Sequence, residues 1–395
     1  MAEKLYLIKM GEISLKGGNR DLFEKRLRHN IKDKLRPWHS EVSKQKGRLY
    51  AYIDEECPDE LIEKALSTTC GLTGYARAYS AEKTPGAMDA LAREILPGSF
   101  TDEGTFRITV TREDKKFPMD SHEIAVELAK TVHELFPSLT VDLKNPRHVL
   151  NVEVRKKVYM YTTEKKGESG LPVGTAGRGM LLLSGGIDSP VAGVMMAKRG
   201  MKLDAIYFHA YPYTSELALE KVKTLSSLIA PYTQGLRLFV VPFTEGQLHI
   251  KKHAETDETT LMFRASMMQT AEKLCKANGA LAIVTGEAMS QVASQTLEAM
   301  SFTDSMTELL VIRPLAGMDK EEIVNKAKKL GTYTTSILPY EDCCVIFSPK
   351  HPVTHPDKEV SRSHFEALEM GPVIDKAIAE TVVYDFNAMG EEVKG

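Results

Sequence analysis

Residues 180–190 read Met-Leu-Leu-Leu-Ser-Gly-Gly-Ile-Asp-Ser-Pro, an apolar strand pattern that passes through a turn of small residues into a helical pattern. This order places the loop 184–189 at the N-terminus of a helix, where backbone N–H groups and the helix dipole favour an anion. Gly185 and Gly186 let the backbone approach a phosphate closely, because glycine has no Cβ. The loop therefore predicts a phosphate-binding site, and the alternative is an ordinary glycine-rich turn.

One carboxylate distinguishes this loop from the Walker A loop. The G-x-x-x-x-G-K-[ST] motif and its lysine are absent from the loop. Asp188 is present instead, and a carboxylate beside phosphates is a suitable ligand for Mg²⁺. In this combination the segment resembles the pyrophosphate (PP) loop of the ATP pyrophosphatases, which cleave ATP to AMP and pyrophosphate while they adenylate a substrate.

The bulk composition is that of a globular protein with more than one domain. A length of 395 residues predicts two or three domains, and 43% hydrophobic with 27% charged residues is ordinary for a globular chain. The apolar runs are too short for a membrane span of about 20 residues, and the N-terminus lacks a signal-peptide layout. Five cysteines show neither disulfide-framework nor zinc spacing. We therefore expect a cytoplasmic protein with reduced thiols and no membrane partner.

Charge is distributed unevenly along the chain. Residues 1–50 contain 13 lysines and arginines against 6 acidic residues, whereas the whole chain has a net charge of −3. A basic N-terminal segment on an otherwise acidic chain fits a surface that binds a phosphate backbone. A solvated helix face explains the same charges equally well. The helical pattern over 21–35 contains five of these basic residues and places them largely opposite its apolar stripe: Lys25, Arg26, Arg28, Lys32 and Lys34.

The element pattern divides the chain into three domains and a linker. Residues 1–58 read strand–turn–helix–strand and predict a ferredoxin-like α+β domain. Residues 59–165 predict an α/β domain that resembles THUMP RNA-binding domains. In it Gly71 and Gly74 are expected to break the chain, and Ser121 is expected to be the N-cap of a helix over 121–136. The Gly/Pro/polar stretch 166–174 predicts a linker. In residues 175–395 strands and helices alternate, which predicts a doubly wound parallel sheet with its ligand over the strand C-termini.

The THUMP-like segment contains basic residues that we expect to lie against RNA phosphates. For each of them taken singly, a solvated surface position is the alternative. These residues are Arg112, Lys115, Lys116, Arg147, Arg155, Lys156 and Lys157.

Further candidate site residues follow the PP loop in the sequence. Tyr207 and Phe208 end the second strand of the catalytic domain, where they would flank an adenine or pack in the core. Arg264 interrupts an apolar helical stretch, and such a charge is costly unless it is paired or faces an anion. Gly286 ends another strand and permits close backbone approach, or simply forms a turn. The amide of Gln295 can bind the polar edge of a nucleobase or ribose.

A vicinal pair, Cys343 and Cys344, lies in a Pro-flanked segment. A disulfide between immediate neighbours is strained, so we do not expect a structural bond. The functional interpretation is a nucleophilic or sulfur-carrying thiol. Buried, inert cysteines are the alternative.

Motifs along the whole chain occur in a family-specific order. Gly-Glu-Ile-Ser-Leu-Lys-Gly-Gly-Asn-Arg over 11–20 precedes the THUMP-like segment, the PP loop and Gly-Glu…Gln-Val-Ala-Ser-Gln over 286–295, and Glu-Asp-Cys follows over 341–343. In this order the chain resembles the tRNA 4-thiouridine synthetases, also called tRNA sulfurtransferases (ThiI family), in their short form without a rhodanese domain.

The resemblance implies an ATP-dependent reaction on tRNA. The C4 oxygen of uridine at tRNA position 8 would be adenylated, and Cys343, carrying a persulfide, would deliver sulfur to C4 while AMP departs. Asp188 would serve catalysis by binding Mg²⁺. The ATP contacts implied are Leu182, Leu183, Ser184, Gly185, Gly186, Asp188, Ser189, Tyr207, Phe208, Arg264, Gly286 and Gln295.

The family also implies partners. Longer members append a rhodanese domain with a second catalytic cysteine; without one, sulfur would come directly from a cysteine desulfurase or another donor. A homodimer and sulfur transfer to a sulfur carrier protein for thiamine thiazole synthesis are further expectations. The alternatives are another PP-loop enzyme, such as a 2-thiouridine synthetase or a small-molecule synthetase, and a THUMP RNA-binding protein without catalysis.

Overall fold

The computed structural model describes residues 3–45, 47–340 and 347–393. By its internal contacts the chain divides into two compact units. The first comprises residues 1–15, 35–67 and 72–169, and the second comprises 16–34, 68–71 and 170–395. No helix among the described residues combines the length and apolar character needed to cross a bilayer.

The elements before residue 170 form a mixed α/β arrangement. The helices are α1 (Arg20–Lys34), α2 (Asp59–Ser67), α3 (Pro85–Ile95) and α4 (Ser121–Leu135). The strands are β1 (Glu3–Met10), β2 (Ser40–Gln45), β3 (Arg48–Asp54), β4 (Leu72–Ala81), β5 (Thr105–Arg112), β6 (Thr140–Val141), β7 (His148–Val154), β8 (Val158–Tyr161) and β9 (Lys165–Lys166). The strands form one sheet in the order β2-β3-β1-β4-β8-β7-β5-β6, with β9 paired to β4.

Two features of this first unit differ from the sequence predictions. Gly74 was expected to break the chain, but β4 runs through it, antiparallel to β1, and Gly74 also pairs with Lys166 of β9. The helix α4 was expected to have Ser121 as its N-cap. Asp120 occupies that position instead and forms a reciprocal capping box with Glu123, which satisfies more of the free N–H groups than a serine alone.

The second unit contains a seven-stranded sheet within the described residues. Its strands are β10 (Arg178–Leu182), β11 (Lys202–His209), β12 (Leu236–Pro242), β13 (Ala282–Val284), β14 (Leu310–Ile312), β15 (Val382–Phe386) and β16 (Glu392–Val393). Its helices beyond residue 170 are α5 (Asp188–Ala197), α6 (Glu216–Thr233), α7 (Thr244–His253), α8 (Thr259–Asn278), α9 (Leu297–Asp304), α10 (Lys320–Leu330), α11 (Tyr333–Ser336), α12 (Lys358–Ala367) and α13 (Gly371–Ala379).

The strand order of this sheet places a ligand site at its centre. The order is β14-β13-β10-β11-β12-β15-β16, in which the first five strands are parallel and β15 pairs antiparallel with β12. Separate apolar clusters cover the two faces, so the central strands are buried on both sides. The chain leaves β10 towards one neighbour and returns to the other, and ligands bind at such a switch point outside the strand C-termini.

Helix α1 belongs to the second unit and is held there by polar contacts of residues near its C-terminal end. Asn30 donates to the Val173 carbonyl at 3.1 Å and accepts, through its own carbonyl, a bond from Gln234 at 3.0 Å. Lys34 was expected on the solvated face, but its side chain is buried and donates to Thr68 Oγ1 at 2.7 Å. A hydrogen-bond partner from a distant segment explains this burial, which helical spacing alone does not predict.

Candidate active site

The loop between β10 and α5 is held by its own serines. The Ser184 N–H donates to Ser189 Oγ at 2.9 Å, and the Gly186 N–H donates to Ser184 Oγ at 3.2 Å. Among the described residues, no side chain caps the N-terminus of α5, which begins at Asp188. Uncapped N–H groups at a helix start are the arrangement that binds phosphate in other proteins.

The Asp188 carboxylate is held on both oxygens. Lys320 Nζ donates to Oδ1 at 2.6 Å, and Gln291 Nε2 donates to Oδ2 at 2.7 Å. Lys320 is the first residue of α10, whose N-cap Asp319 forms a capping box with Glu322. A carboxylate, an ammonium and an amide therefore meet beside the loop, and all three groups can exchange partners when a phosphate ligand arrives.

A buried carboxylate lies deeper in the site. Glu287 is 4% exposed and receives hydrogen bonds from Thr285 Oγ1 at 2.9 Å and Arg313 Nε at 2.8 Å. Arg264 Nη2 pairs with its other oxygen. Burial would raise the pKa of Glu287, but the guanidinium groups of Arg264 and Arg313 outweigh this effect and hold that pKa below its usual 4.5. The charge of Arg264 is thus compensated inside the protein, while its Nε is buried without a partner in the described part of the chain.

Replacing Glu287 by glutamine should lower the free energy of unfolding by about 2–3 kcal/mol at pH 7, because two buried guanidinium groups lose a charged acceptor. The lowered pKa of Glu287 means that its contribution is complete above the unfolded-state value of 4.5 and is lost as the pH falls through the folded value. Urea unfolding at several pH values should therefore show the wild-type and variant curves converging below about pH 4.5.

The exposed Glu366→Gln variant serves as the control, because it changes the same charge on the surface of α12. A difference for Glu287→Gln that is no larger than that of the control, or independent of pH, would contradict the assigned role of the buried carboxylate.

Gly286 lies against the backbone at the start of α5. A Cβ on Gly286 would stand 2.6 Å from the Ser189 nitrogen and 2.7 Å from its Cα, distances that backbone atoms cannot accommodate without moving. The sequence predicted that the backbone comes close to another group at this glycine. One such group is the start of α5, the helix that follows the PP loop, which lies against the chain at the C-terminal end of β13. Any side chain at position 286 must push these two segments apart.

Gly286→Ala should consequently displace the start of α5, destabilise the protein by about 1–3 kcal/mol and weaken the binding of an anion at the loop. Thermal unfolding and inorganic pyrophosphate binding measure the two effects. Gly317→Ala is the matched control, since nothing lies within 4 Å of a Cβ at that position. Equal stability of the two variants would show that the close contact between Gly286 and the Ser189 backbone does not affect the free energy of unfolding.

Most of the predicted nucleotide residues line one cavity over the C-terminal ends of β10 and β13. Met267, Met268, Thr285 and Glu287, which the sequence had not assigned to nucleotide binding, complete its lining. Gln295 Oε1 is buried there without a hydrogen-bond partner among the described residues, so a bound polar group can supply one. The predicted residues that the cavity brings together are Leu182, Ser184, Gly186, Asp188, Ser189, Arg264, Gly286 and Gln295.

Other predicted residues do not line this cavity. Tyr207 and Phe208 are 2% and 3% exposed and pack in the apolar clusters on opposite faces of the sheet, so their rings are core residues. Leu183 is likewise buried in one of these clusters, and Gly185 belongs to the loop without reaching the cavity. Cys343 and Cys344 lie outside the described residues.

The basic residues of the THUMP-like segment differ in their surroundings. Lys115, Lys116, Lys156 and Lys157 are exposed. The structure contradicts the expected position of Arg155, whose side chain is 9% exposed and forms ion pairs with Glu153 and Glu113. Its charge is already neutralised by these carboxylates.

Two other arginines of this set have internal partners. Arg112 donates to the carbonyls of Phe117 and Met119 and so holds the loop after β5. Arg147 pairs with Glu103 at the exposed surface. The exposed lysines are therefore the residues of this set with the best access to a phosphate backbone.

Family models match successive parts of the chain. A model described as the ThiI ferredoxin-like domain matches residues 5–76, one for the THUMP domain matches 82–163, and one described as thiamine biosynthesis protein (ThiI) matches 174–370. A probable tRNA sulfurtransferase of Acetivibrio thermocellus is 42% identical over 385 residues, covering 96% of this chain and 98% of the relative. The chain belongs to the tRNA sulfurtransferase (ThiI) family.

Further relatives agree with this membership. A probable tRNA sulfurtransferase of Caldanaerobacter subterraneus is 43% identical over 95% of this chain and 98% of its own length. A solved 4-thiouridine synthetase–RNA complex with bound ATP has a TM-score of 0.88 at 36% identity, covering 97% of this chain and 99% of that one. A Pyrococcus horikoshii structure has a TM-score of 0.65 at 25% identity, over 83% and 99% of the two chains.

Membership in the ThiI family confirms the family and the fold class expected from the motifs. The chain has the ferredoxin-like and THUMP domains of that family and its catalytic domain with a parallel sheet. The curated relatives are named as sulfurtransferases, so this family member is an enzyme.

The donor set beside the PP loop fits a magnesium ion that is bound partly by phosphates. In the described part of the chain no three His, Cys, Asp or Glu side chains converge as a protein-only metal site. Asp188 supplies one carboxylate, whereas Glu287 is committed to two arginines. Mg²⁺ commonly binds through one or two carboxylates together with substrate phosphates and water, and Asp188 satisfies that requirement.

Proposed function

We propose that this family member is an ATP-dependent tRNA sulfurtransferase that converts uridine to 4-thiouridine at tRNA position 8. The observation that carries the proposal is the likeness, over 97% of the chain, to a 4-thiouridine synthetase–RNA complex with bound ATP. The cavity beside the PP loop supports it independently, because it combines an uncapped helix N-terminus with the cationic side chain of Arg264. Two polar atoms there, Arg264 Nε and Gln295 Oε1, are buried without a partner among the described residues.

ATP is proposed to bind with its triphosphate on residues 184–189 and its adenine towards the end of β11. Tyr207 and Phe208 would contribute backbone atoms there, since their rings are buried in the core. Lys320 and Arg264 are the cations of the described site that can face the phosphates. Asp188 would hold Mg²⁺, which neutralises phosphate charge and makes pyrophosphate a better leaving group.

The first half-reaction is proposed to be adenylation of the uridine. The C4 oxygen attacks the α-phosphorus of ATP, the bond to the β-phosphate oxygen breaks, and pyrophosphate leaves. Cationic groups aimed at the phosphates stabilise the charge that develops in this step. The product carries AMP on C4, which converts a poor leaving oxygen into a good one.

The second half-reaction is proposed to start from a persulfide on Cys343. Its terminal sulfur forms a bond to C4, and AMP leaves with the former C4 oxygen. A second thiol, from the enzyme or from an external reductant, then cleaves the sulfur–sulfur bond, so that 4-thiouridine is released and a disulfide forms. A cysteine desulfurase is proposed as the source of the persulfide sulfur.

The N-terminal domains are proposed to bind tRNA. We place the ferredoxin-like domain at 1–58, the THUMP domain at 59–165, the linker at 166–174 and the catalytic domain at 175–395. The exposed lysines beside the β7–β8 turn supply cations for phosphates. A homodimer remains part of the proposal.

A second candidate function is sulfur transfer to a sulfur carrier protein for the thiazole of thiamine. The description of the matching model as a thiamine biosynthesis protein favours it. In this test the persulfidated enzyme and a thiol reductant act on the carrier protein's C-terminal acyl-adenylate, from which AMP leaves. Detection of the resulting thiocarboxylate by intact-protein mass spectrometry tests this candidate separately from tRNA.

The main experiment incubates the protein with an unmodified tRNA transcript, Mg-ATP, a cysteine desulfurase and cysteine. Nucleoside mass spectrometry should detect 4-thiouridine, with one AMP formed for each sulfur inserted. A transcript with cytidine at position 8 should give none. Formation of 2-thiouridine, or of AMP without any thionucleoside, would refute the proposed substrate position.

A further inference from the structure

The chain that leads to Cys343 is fixed to the PP loop. Ser336, at the end of α11, is 6% exposed, and its hydroxyl donates to the Gly186 carbonyl at 3.2 Å. This contact ties the segment after α10 to the loop proposed to bind the triphosphate. The chain immediately after Ser336 therefore starts next to the proposed nucleotide site.

Lys221 of α6 fixes the next residues of the same segment. Its ammonium donates to the Leu338 carbonyl at 2.9 Å and to the Tyr340 carbonyl at 3.3 Å. The residue is 6% exposed, although a buried ammonium loses hydration that hydrogen bonds must replace. The Lys221 ammonium therefore restrains backbone atoms of the segment after α11, and its side chain does not simply lie along the surface of α6.

The position of these carbonyls in the sequence connects Lys221 with sulfur transfer. Cys343 follows Tyr340 by three residues, which span at most about 11 Å of extended chain. On the other side of the cysteines, the Phe347 ring contacts the ring of Tyr213, with centroids 5.1 Å apart. Tyr213 lies in the connection from β11 to α6, so both flanks of the cysteine segment contact this part of the fold.

Resting on the function proposed above, we propose that Lys221 is a positioning residue for sulfur transfer. It holds residues 338–340, from which the chain continues to Cys343, against α6. Its loss is therefore expected to slow the delivery of sulfur to the adenylated uridine. Lys221 has no part in the adenylation step, because its ammonium is engaged by the carbonyls of Leu338 and Tyr340 and does not line the nucleotide cavity.

The test compares the two half-reactions in Lys221→Met, which removes the donor, and Lys221→Arg, which retains it. Pyrophosphate release on unmodified tRNA without a sulfur donor should stay within about twofold of wild type in both. Single-turnover 4-thiouridine formation from the persulfidated enzyme should fall about 100-fold in Lys221→Met, as expected for a misplaced reacting group. Lys221→Arg should recover most of that loss.

Lys223→Met is the matched control, because this lysine lies on the same helix but pairs with Glu220 and Glu392. Lys221→Gln, which keeps one donor, replaces the methionine variant if that variant does not fold and should show an intermediate loss. Equal losses in pyrophosphate release and 4-thiouridine formation, or no loss in either, would overturn the proposal.

The iodoacetamide labelling rate of Cys343, followed by peptide mass spectrometry, separates this inference from the proposed function. Lys221→Met should alter that rate, and Lys223→Met should leave it unchanged. If wild type makes no 4-thiouridine, the proposed function fails while the labelling rates still decide on Lys221. An unchanged rate in Lys221→Met would then refute its positioning role.

Discussion

Replacing Cys343 by alanine should reduce 4-thiouridine formation by at least about 1,000-fold, because the thiol that carries the transferred sulfur is lost. The groups proposed for adenylation are at the PP loop and around Asp188 and do not include this thiol. Pyrophosphate should therefore continue to form at nearly the wild-type rate in the first turnover, while AMP stays bound to the tRNA. Quenched-flow measurement of pyrophosphate and thionucleoside in the same reaction separates the two outcomes.

Cys344→Ala is the control for this prediction, since it removes a thiol from the neighbouring position. Cys343 is assigned by its place after Glu341 and Asp342, and both cysteines lie outside the described residues. A greater loss of transfer in Cys344→Ala than in Cys343→Ala would assign the persulfide to Cys344 instead. Retention of transfer in both single variants would contradict a Cys343 persulfide.

The remaining cysteines cannot replace the lost thiol. Cys57, Cys70 and Cys275 are buried. Burial raises the pKa of the Cys275 thiol to about 12 and also raises the pKa of the Cys57 thiol. A thiol with a raised pKa contains little of the nucleophilic thiolate at neutral pH. Residual transfer in Cys343→Ala would therefore point to Cys344 or to an external sulfur donor.

The PP loop could be predicted from the sequence because its determinants are local. Eleven residues contain a strand, a turn of small residues and the start of a helix. These three elements together determine the loop and the position of Asp188. Arg264 could be recognised as exceptional, but its partner Glu287 lies 23 residues away and became apparent only in the fold. Gln291 was part of a quoted motif, yet its bond to Asp188 depends on tertiary packing.

The predictions that failed involve contacts between distant segments. Gly74 is expected to interrupt the chain, but it lies within β4. Residues 164–165 pack against it, and a Cβ on residue 74 would lie 2.8 Å from Glu164 Oε1. Arg155 is expected at the surface from the sequence, but in the fold Glu113 lies beside it and forms an ion pair with it. Alternation along β11 places the rings of Tyr207 and Phe208 on opposite faces, and a doubly wound sheet buries both faces.

Asp188→Asn should lower pyrophosphate release by about 100- to 1,000-fold, because the site loses the negative charge proposed to hold Mg²⁺ beside the phosphates. The variant preserves the shape of the side chain and one acceptor for Lys320. Its unfolding midpoint should consequently stay within about 3 °C of wild type. Asp319→Asn is the matched control, since it removes a neighbouring charge while asparagine remains an effective N-cap for α10.

A double-variant cycle distinguishes two explanations of the Asp188 effect. If Asp188 acts mainly by holding Lys320, whose ammonium lies 2.6 Å away, then Lys320→Met should cause a similar loss and the double variant should be no worse than either single one. If Asp188 holds Mg²⁺, the loss of pyrophosphate release in Asp188→Asn should become smaller as the Mg²⁺ concentration rises. The loss in Lys320→Met should not depend on the Mg²⁺ concentration. We expect the second pattern, because a bound cation would take the carboxylate from Lys320 and leave its ammonium for the phosphates. Full activity in Asp188→Asn at low Mg²⁺ would exclude both explanations.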